Sequence, residues 1–573
     1  MGNIDIAALD SALNLLPDQY RGPAGVAGVV KDGEIVARRA WGYADMYRRI
    51  PMTAERRLPI CSISKHMTCA LLLDLFGDPA KLDPLLPELL PHFRDPLPTV
   101  AQLCHNQSGL RDYWALTVLH GAEPEGVFTE ADGLRLIGQA RSGHFAPGTH
   151  YSYSNGNFRL LAELIRRASG RDFGELLKER IFGPAGMKTA VLASDTSNRL
   201  DDLLGYEGND EVGFLPARSA ISWFGDAGVS ASLDDMLAWE RHIDSTRDDP
   251  DSLYRRISAP VFFNDGTPAH YGFGLRRDRL AGYEATGHGG GLRGFCSFRL
   301  HVASERLSVV VIFNHEAAAM RAAWALMDAA LGCRIAPPEE PSKGWNGLWL
   351  DEERGLFLRT KDTLTGVRLS YAVSQTVLTP VCDDTATALG LELRREGDRI
   401  IMDRAVDNLH VEAQQLAPVA WADGAGIAGR YRSDEIGAWL EIEARDGATY
   451  ICFEGMLGGG PMERMYPLAK DVWSVTTRRA MDAAPPGEWT VRVRRDADGK
   501  VEGLSIGCWL ARNIDYQSDI SNRAMTGTWS EGLSQPRASR RMSIPVSRAE
   551  MIGDDQTWSS RRPRSESVQS RAR

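Results

Sequence analysis

RLPICSISKHMTCALLLDLFGDP (57–79) sets a serine directly ahead of a helical run of apolar residues, with Lys65 three positions after Ser62. Three residues are close to one helical turn, so the two side chains share a face and stand beside each other. Upstream, AGVAGVVKDGEIVARRAWGYA (24–44) predicts two strands joined at Lys-Asp-Gly, and residues 4–16 predict an amphipathic helix. Downstream, helical spacing returns over 158–190. Residues 268–314 revert to short strands, as in GFCSFRLHVASERLSVVVIFNH, and a last helix follows near 316–332. Helices bracketed by strands predict an α/β layer domain whose terminal strands meet in one antiparallel sheet.

At 573 residues the chain has room for two to four units, each with its own core. Its 43% hydrophobic and 25% charged residues are those of a globular protein. A formal net charge of −10 argues against a nucleic-acid or anionic-membrane surface. The eight cysteines form no CxxC pair and share no zinc-like spacing with histidine, so they read as free thiols in a reducing compartment. MGNIDIAALDSALNLLPDQY lacks a basic stretch and an apolar stretch of the secretory kind, and Ile6 spoils a myristoylation pattern. The cytoplasm is the expected location.

RIAPPEEPSKGWNG, rich in Pro, Glu and Gly, predicts a linker near 335–340. Beyond it GLWLDEERGLFL (347–358) matches GRYRSDEIGAWL (429–440) at a constant offset, pairing Gly347 with Gly429, Trp349 with Tyr431, Glu353 with Glu435, Gly355 with Gly437 and Leu358 with Leu440. Two copies of one β unit follow, each long enough for a small antiparallel barrel or sandwich. From 517 the composition shifts to Arg, Ser and small polar residues, which predicts a disordered tail. The expected domains are therefore 1–335, 340–417 and 418–516, with a tail over 517–573.

A serine at a helix start is commonly a cap, and SxxK strings arise by chance. The chemical reading is that a lysine in a partly desolvated cleft loses its proton and takes that of Ser62, making a nucleophile of a poor one. PGTHYSYSNGNF carries Tyr153-Ser154-Asn155 on a loop ahead of a helix. Tyr153 can pass a proton between Lys65, Ser62 and a leaving group, and the Asn155 amide can hold a substrate carbonyl; the plain alternatives are a core aromatic and a helix cap. EATGHGGGLRGF puts His288-Gly289-Gly290-Gly291 ahead of a strand. Taken alone this is a hairpin turn. Taken with the other two motifs, the backbone N–H groups of Ser62 and Gly291 form an oxyanion hole and His288 orients the catalytic groups or the substrate. Cys61 and Cys69 near the nucleophile suggest a thiol protease, but no His and Asn stand in a papain-like relation, and small buried side chains are the expected role. The reaction needs no metal and no organic cofactor.

SxxK, YxN and HGG occur in this order at intervals of about ninety and about 130 residues. In this the chain resembles the serine β-lactamase and penicillin-binding-protein superfamily, and LCHNQSGL (103–110) and IFGPAGM (181–187) are similar to its landmarks. The resemblance spans roughly 25–330 and implies a β-lactamase-like antiparallel sheet with flanking helices. His288 stands where that superfamily often has the lysine of a Lys-Thr-Gly, which weakens a β-lactamase assignment. One branch joins the HGG variant to two C-terminal β-barrel domains: the bacterial D-stereospecific aminopeptidases. That resemblance implies a multidomain α/β chain ending in two antiparallel barrels. It implies hydrolysis of a small N-terminal D-amino acid, such as D-alanine, from peptides and amides through an acyl-enzyme on Ser62, by a homodimer; the charge balance adds that no nucleic acid or membrane is expected as a partner. A free ammonium needs an anion near the acyl site. The resemblance suggests a loop of the last barrel, and TTRRAMDAAPPGEW (476–489) offers Asp482. The competing readings are a D-Ala-D-Ala carboxypeptidase, an esterase or a β-lactamase on the same domain, and a non-catalytic penicillin-sensing or scaffold protein.

Overall fold

The computed structural model describes residues 4–519 except 281, 334–340, 374, 477–479 and 483–486. The expected tail and linker fall largely outside these residues.

Helix α1 (Ile6–Gln19) opens the chain, capped by the Asp5 carboxylate on Ala8 N–H at 2.9 Å. Strands β1 (Ala24–Lys31), β2 (Glu34–Asp45) and β3 (Ile50–Pro51) follow, and later β4 (Tyr271–Gly272), β5 (Leu275–Leu280), β6 (Tyr283–Leu292), β7 (Phe295–Val302) and β8 (Leu307–Phe313). They form one antiparallel sheet in the order β4-β5-β6-β7-β8-β1-β2-β3. The first strand thus pairs with the last, Gly25 opposite Phe313, as the sequence predicts.

The sheet is covered on both faces, which is why β1 and β8 read as unbroken apolar runs rather than alternating ones. Ala27, Val29, Val309 and Val311 pack with Leu9, Leu13 and Leu16 of α1 and with the last helix, Ala319–Leu331. Val26, Val30, Val310 and Ile312 face the other way, into the core around helix α2 (Ser64–Phe76). Ten consecutive residues of α2, Ser64 to Leu73, are buried, so it is a central helix without a solvent face. Helix α3 (Tyr113–Leu119) and helix α4 (Asn155–Ser169) pack in the same core. Helix α4 begins at Asn155, three residues earlier than the apolar spacing implies, because its first polar residues are buried against other groups rather than in an apolar stripe.

Residues 347–415 form a closed eight-stranded antiparallel barrel, sealed where Trp349 pairs with Gln415. In residues 429–518 the strand Ala438–Arg445 pairs with both Gly429–Ser433 and Ala448–Gly455, which closes a second eight-stranded ring and leaves Gly458–Gly459 as an appended edge. The internal repeat maps onto the opening hairpin of each barrel, Leu358 opposite Trp349 in one and Leu440 opposite Tyr431 in the other.

Both barrels touch the helical side of the first layer. In the first, Asp407 O and Asn408 hold the 149–151 loop: Tyr151 N–H donates to Asp407 O at 3.1 Å, and Asn408 Nδ2 to Thr149 O at 2.9 Å. In the second, Arg111 pairs with Glu435 at 2.7 Å, and Asp112 N–H donates to Leu510 O at 2.9 Å.

Candidate active site

The segment before α2 is a short 3-10 turn, Cys61–Ile63, and it places Ser62, the expected nucleophile. Cys61 is fully buried with φ 55°, a left-handed backbone that an L residue adopts only where its surroundings enforce it. The enforcing contacts come from β6 and β7. Ser297 Oγ donates to Ile60 O at 2.9 Å, and Gly290 lies so close that a Cβ there would meet Cys61 Cβ at 2.6 Å and Ile60 O at 2.7 Å. Gly290 is therefore a position of close backbone approach, not a hairpin turn. Gly291, one residue on, is exposed and faces open space.

Lys65 is fully buried, and its Nζ lies 3.0 Å from Ser62 Oγ, 2.8 Å from Asn155 Oδ1 and 2.6 Å from Asp226 O. Tyr153 OH donates to Ser62 Oγ at 2.9 Å. The three residues expected to carry the chemistry thus meet at one oxygen. Burial pulls Lys65 down to about 8, against the opposing pull of the Asp226 and Asp112 carboxylates. The cause is desolvation, as the reading of a lysine in a partly desolvated cleft requires. Burial also drives the Tyr153 phenol well above its usual value.

Asn155 is placed differently from expectation. Its Oδ1 accepts from Lys65 while its backbone N–H and Nδ2 donate to Asp112, at 2.8 and 3.3 Å. Both ends of the amide are engaged within the protein, so in this geometry it aims the lysine. Burial, reinforced by Asp482, lifts Asp112 to about 7.

His288 is buried, with Nε2 3.0 Å from Tyr271 OH and its ring 6.3 Å from that of Tyr153. Burial and the nearby Lys65 lower it to about 3, so it stands as a neutral imidazole. It offers no cation at neutral pH. Cys61 is buried with its thiol pushed up by desolvation, which removes the nucleophilic thiolate.

Asp482 belongs to the stretch between the second barrel's strands Val472–Thr476 and Glu488–Arg495. Arg293, just past Gly291, anchors that stretch: its N–H donates to Asp482 O at 3.0 Å, and its guanidinium bonds Ala480 O and, at 3.3 Å, Met481 O. Asp482 acts electrostatically on both Lys65 and Asp112.

Asp112, Asp226, Tyr271 and Arg293 are the site residues that sequence reasoning misses. Asp226 lies between Gly225 and Gly228, both at positive φ, in a turn without periodicity. Asp112 follows LCHNQSGL by two residues, ahead of α3, where a helix cap is the ordinary expectation. Its carboxylate makes no cap bond and turns to Asn155. Among the described residues no cluster of His, Cys, Asp and Glu could hold a metal ion, and no helix is long and apolar enough to cross a membrane.

Residues 9–332 match the beta-lactamase family, and residues 338–517 match the family described as D-aminopeptidase, domain B. A D-aminopeptidase of Cereibacter sphaeroides is 57% identical over 513 residues, covering 90% of this chain and 99% of that protein. The chain belongs to the D-aminopeptidase family. Another member of that family, from Brucella canis, is 48% identical over 520 residues, covering 90% of this chain and all of that one. The octameric penicillin-binding protein homologue of Pyrococcus abyssi shares the fold at 19% identity, with a TM-score of 0.50 over 72% of this chain and 100% of that chain. The site of this D-aminopeptidase family member therefore sits on a beta-lactamase-like layer, with both barrels braced against it.

Proposed function

We propose that the chain is a serine aminopeptidase that removes a small N-terminal D-residue from peptides and amides through an acyl-enzyme on Ser62. The observation that carries this is the convergence of Lys65 Nζ and Tyr153 OH on Ser62 Oγ, at 3.0 and 2.9 Å, in a chain aligned nearly end to end with D-aminopeptidases. Neutral Lys65 takes the Ser62 proton, Ser62 Oγ attacks the carbonyl carbon, and the oxyanion is held by the backbone N–H groups of Ser62 and Gly291. The C–N bond breaks as the amine takes a proton relayed through Tyr153. Water then cleaves the acyl ester, with Lys65 as base, and restores Ser62. With Lys65 lowered to about 8 and Tyr153 raised, Lys65 is favoured as the immediate base and Tyr153 as proton donor.

Asp482 receives the substrate ammonium, a role supported by its anchoring on Arg293 and by its action on Lys65. Asn155 positions Lys65, and neutral His288 packs behind Tyr153 and Tyr271. In this reading residues 1–335 form the catalytic domain, 340–417 the first barrel and 418–516 the second, whose loop completes the site. A homodimeric state and a cytoplasmic location belong to the same reading, checked by sedimentation and by cell fractionation.

The test is a panel of D- and L-alaninamide with free and acetylated amino groups. Turnover of free D-alaninamide at least about a hundredfold above the other three is the expected result. Release of the C-terminal residue from an N-blocked peptide, or undiminished hydrolysis by Ser62→Ala, would overturn it.

A further inference from the structure

Beside the proposed catalytic residues lies a cavity of about 340 Å³, of whose lining the reaction described above uses only Asp482. It abuts the site: Pro59 lies three residues before Ser62, Leu292 directly follows Gly291, and Asp482 lines it. Four arginines, Arg57, Arg199, Arg218 and Arg293, face two aspartates, Asp195 and Asp482, in its lining. This is a local excess of positive charge in a chain whose net charge is −10.

The four arginines are not equivalent. Arg57 is bound to Asp201 at 2.6 Å, and Arg293 to Glu207 at 3.2 Å and to the 480–482 stretch. Arg199 and Arg218 are exposed, and among the described residues neither has a hydrogen-bond or ion-pair partner. Asp195 is taken by Ser197, whose N–H and Oγ donate to it at 2.9 and 2.7 Å. The cavity therefore keeps two uncommitted guanidinium groups beside an apolar wall that includes Trp223 and Phe295. Its volume is at the lower end of small-ligand sites, enough for one or two residues of a peptide.

We propose that this cavity receives a carboxylate of the substrate, held by Arg199 and Arg218. The inference rests on the aminopeptidase reading, in which Ser62 takes the scissile carbonyl and Asp482 the ammonium. The substrate charge then left unmatched is negative, and the planar guanidinium fork is the side chain that recognises a carboxylate bidentately. Two sources share this chemistry. One is the C-terminus of a short leaving peptide. The other is the acidic side chain of an N-terminal D-residue.

The experiment measures kcat/KM for D-Ala-Gly-Gly against its C-terminal amide, for D-glutamic acid α-amide against D-glutamine amide, and for D-alaninamide. The expected result is that the acid exceeds its amide about tenfold to a hundredfold in one of the two pairs, which identifies the source. The Arg199→Gln/Arg218→Gln double variant brings that ratio to near one, and the Arg199→Lys/Arg218→Lys variant keeps part of it, which separates lost charge from lost folding. If the wild type hydrolyses D-alaninamide but treats acid and amide alike in both pairs, or if the double variant keeps the preference, the cavity proposal is overturned and the aminopeptidase reading stands. If D-alaninamide and all four paired substrates are inert, both fall.

Discussion

Replacing Asp112 by Asn removes a buried carboxylate from behind Lys65 without removing the atom that holds Asn155. Two hydrogen bonds and one amide separate the Asp112 carboxylate from the Lys65 ammonium, roughly 6–8 Å, where unit charges at an effective dielectric near 20 interact by about 2 kcal/mol. The sign follows from which form of Lys65 is active. In the proposed mechanism neutral Lys65 is the base and its value is lowered to about 8, so the acid limb is set there and activity is lost as the lysine gains its proton below that pH. The carboxylate favours the charged lysine. Without it Lys65 sheds its proton more readily, and the acid limb of kcat/KM moves down by about one to two pH units. Asp112 itself is lifted to about 7, so lysine and carboxylate titrate as a coupled pair in the wild type and that limb is broad. The substrate's own ammonium, with an ordinary value near 8, loses its charge as pH rises and gives an alkaline limb common to both enzymes. The assay is ammonia release from D-alaninamide between pH 5 and 10. An acid limb unmoved in Asp112→Asn would refute the assignment of that limb to Lys65. A limb that moves upward would refute the electrostatic argument itself.

Gly290→Ala should lower stability by about 2 kcal/mol or abolish activity, because its Cβ would collide with Cys61, Ile60 and Ser297, whereas Gly291→Ala, facing open space, should unfold within about 0.5 kcal/mol of the wild type; urea denaturation of both variants checks this. Arg293→Ala should raise KM for D-alaninamide about tenfold with a smaller change in kcat, since it frees the 480–482 stretch and leaves Ser62 and Lys65 in place; steady-state kinetics reads the split. The fold should weaken in acid: burial lowers His105, His120, His301 and His315 to about 4 and His288 to about 3. The unfolded chain then binds protons below about pH 6.5 that the folded one refuses, so stability is full above that pH and falls toward pH 4, each histidine adding up to about 1.4 kcal/mol per pH unit; denaturation midpoints at pH 7.5 and 5 test it.

What could be read from the sequence divides along physical lines. Ser62 and Lys65 are tied by helix geometry, a local property, and the 3.0 Å contact is its direct consequence. The sheet was legible because β1 and β8, buried on both faces, carry an apolar run that short-range pattern reveals. The barrels were legible through repetition, since an offset held from Gly347 to Leu358 requires two like hairpins. Asp112 and Asp226 were not, because nothing local distinguishes a buried carboxylate from a turn or capping residue. Their role appears only when α4 is laid beside α2. Asn155 shows the same limit: its identity could be read, but the direction of its amide depends on Asp112, which lies 43 positions away.

That dependence bears on why a hydrolase keeps two barrels. Asp112 N–H is held by Leu510 O, between two strands of the second barrel, and the Asp112 carboxylate holds Asn155, which holds Lys65. Asp407 and Asn408 of the first barrel fix the loop two residues before Tyr153. Each barrel therefore supports one of the two side chains that meet at Ser62 Oγ. A nucleophile of this kind depends on distances of about 3 Å kept in a desolvated cleft, where an error of about 1 Å costs on the order of a hundredfold in rate. The barrels thus have reason to be part of the catalytic device even where their loops do not touch the substrate.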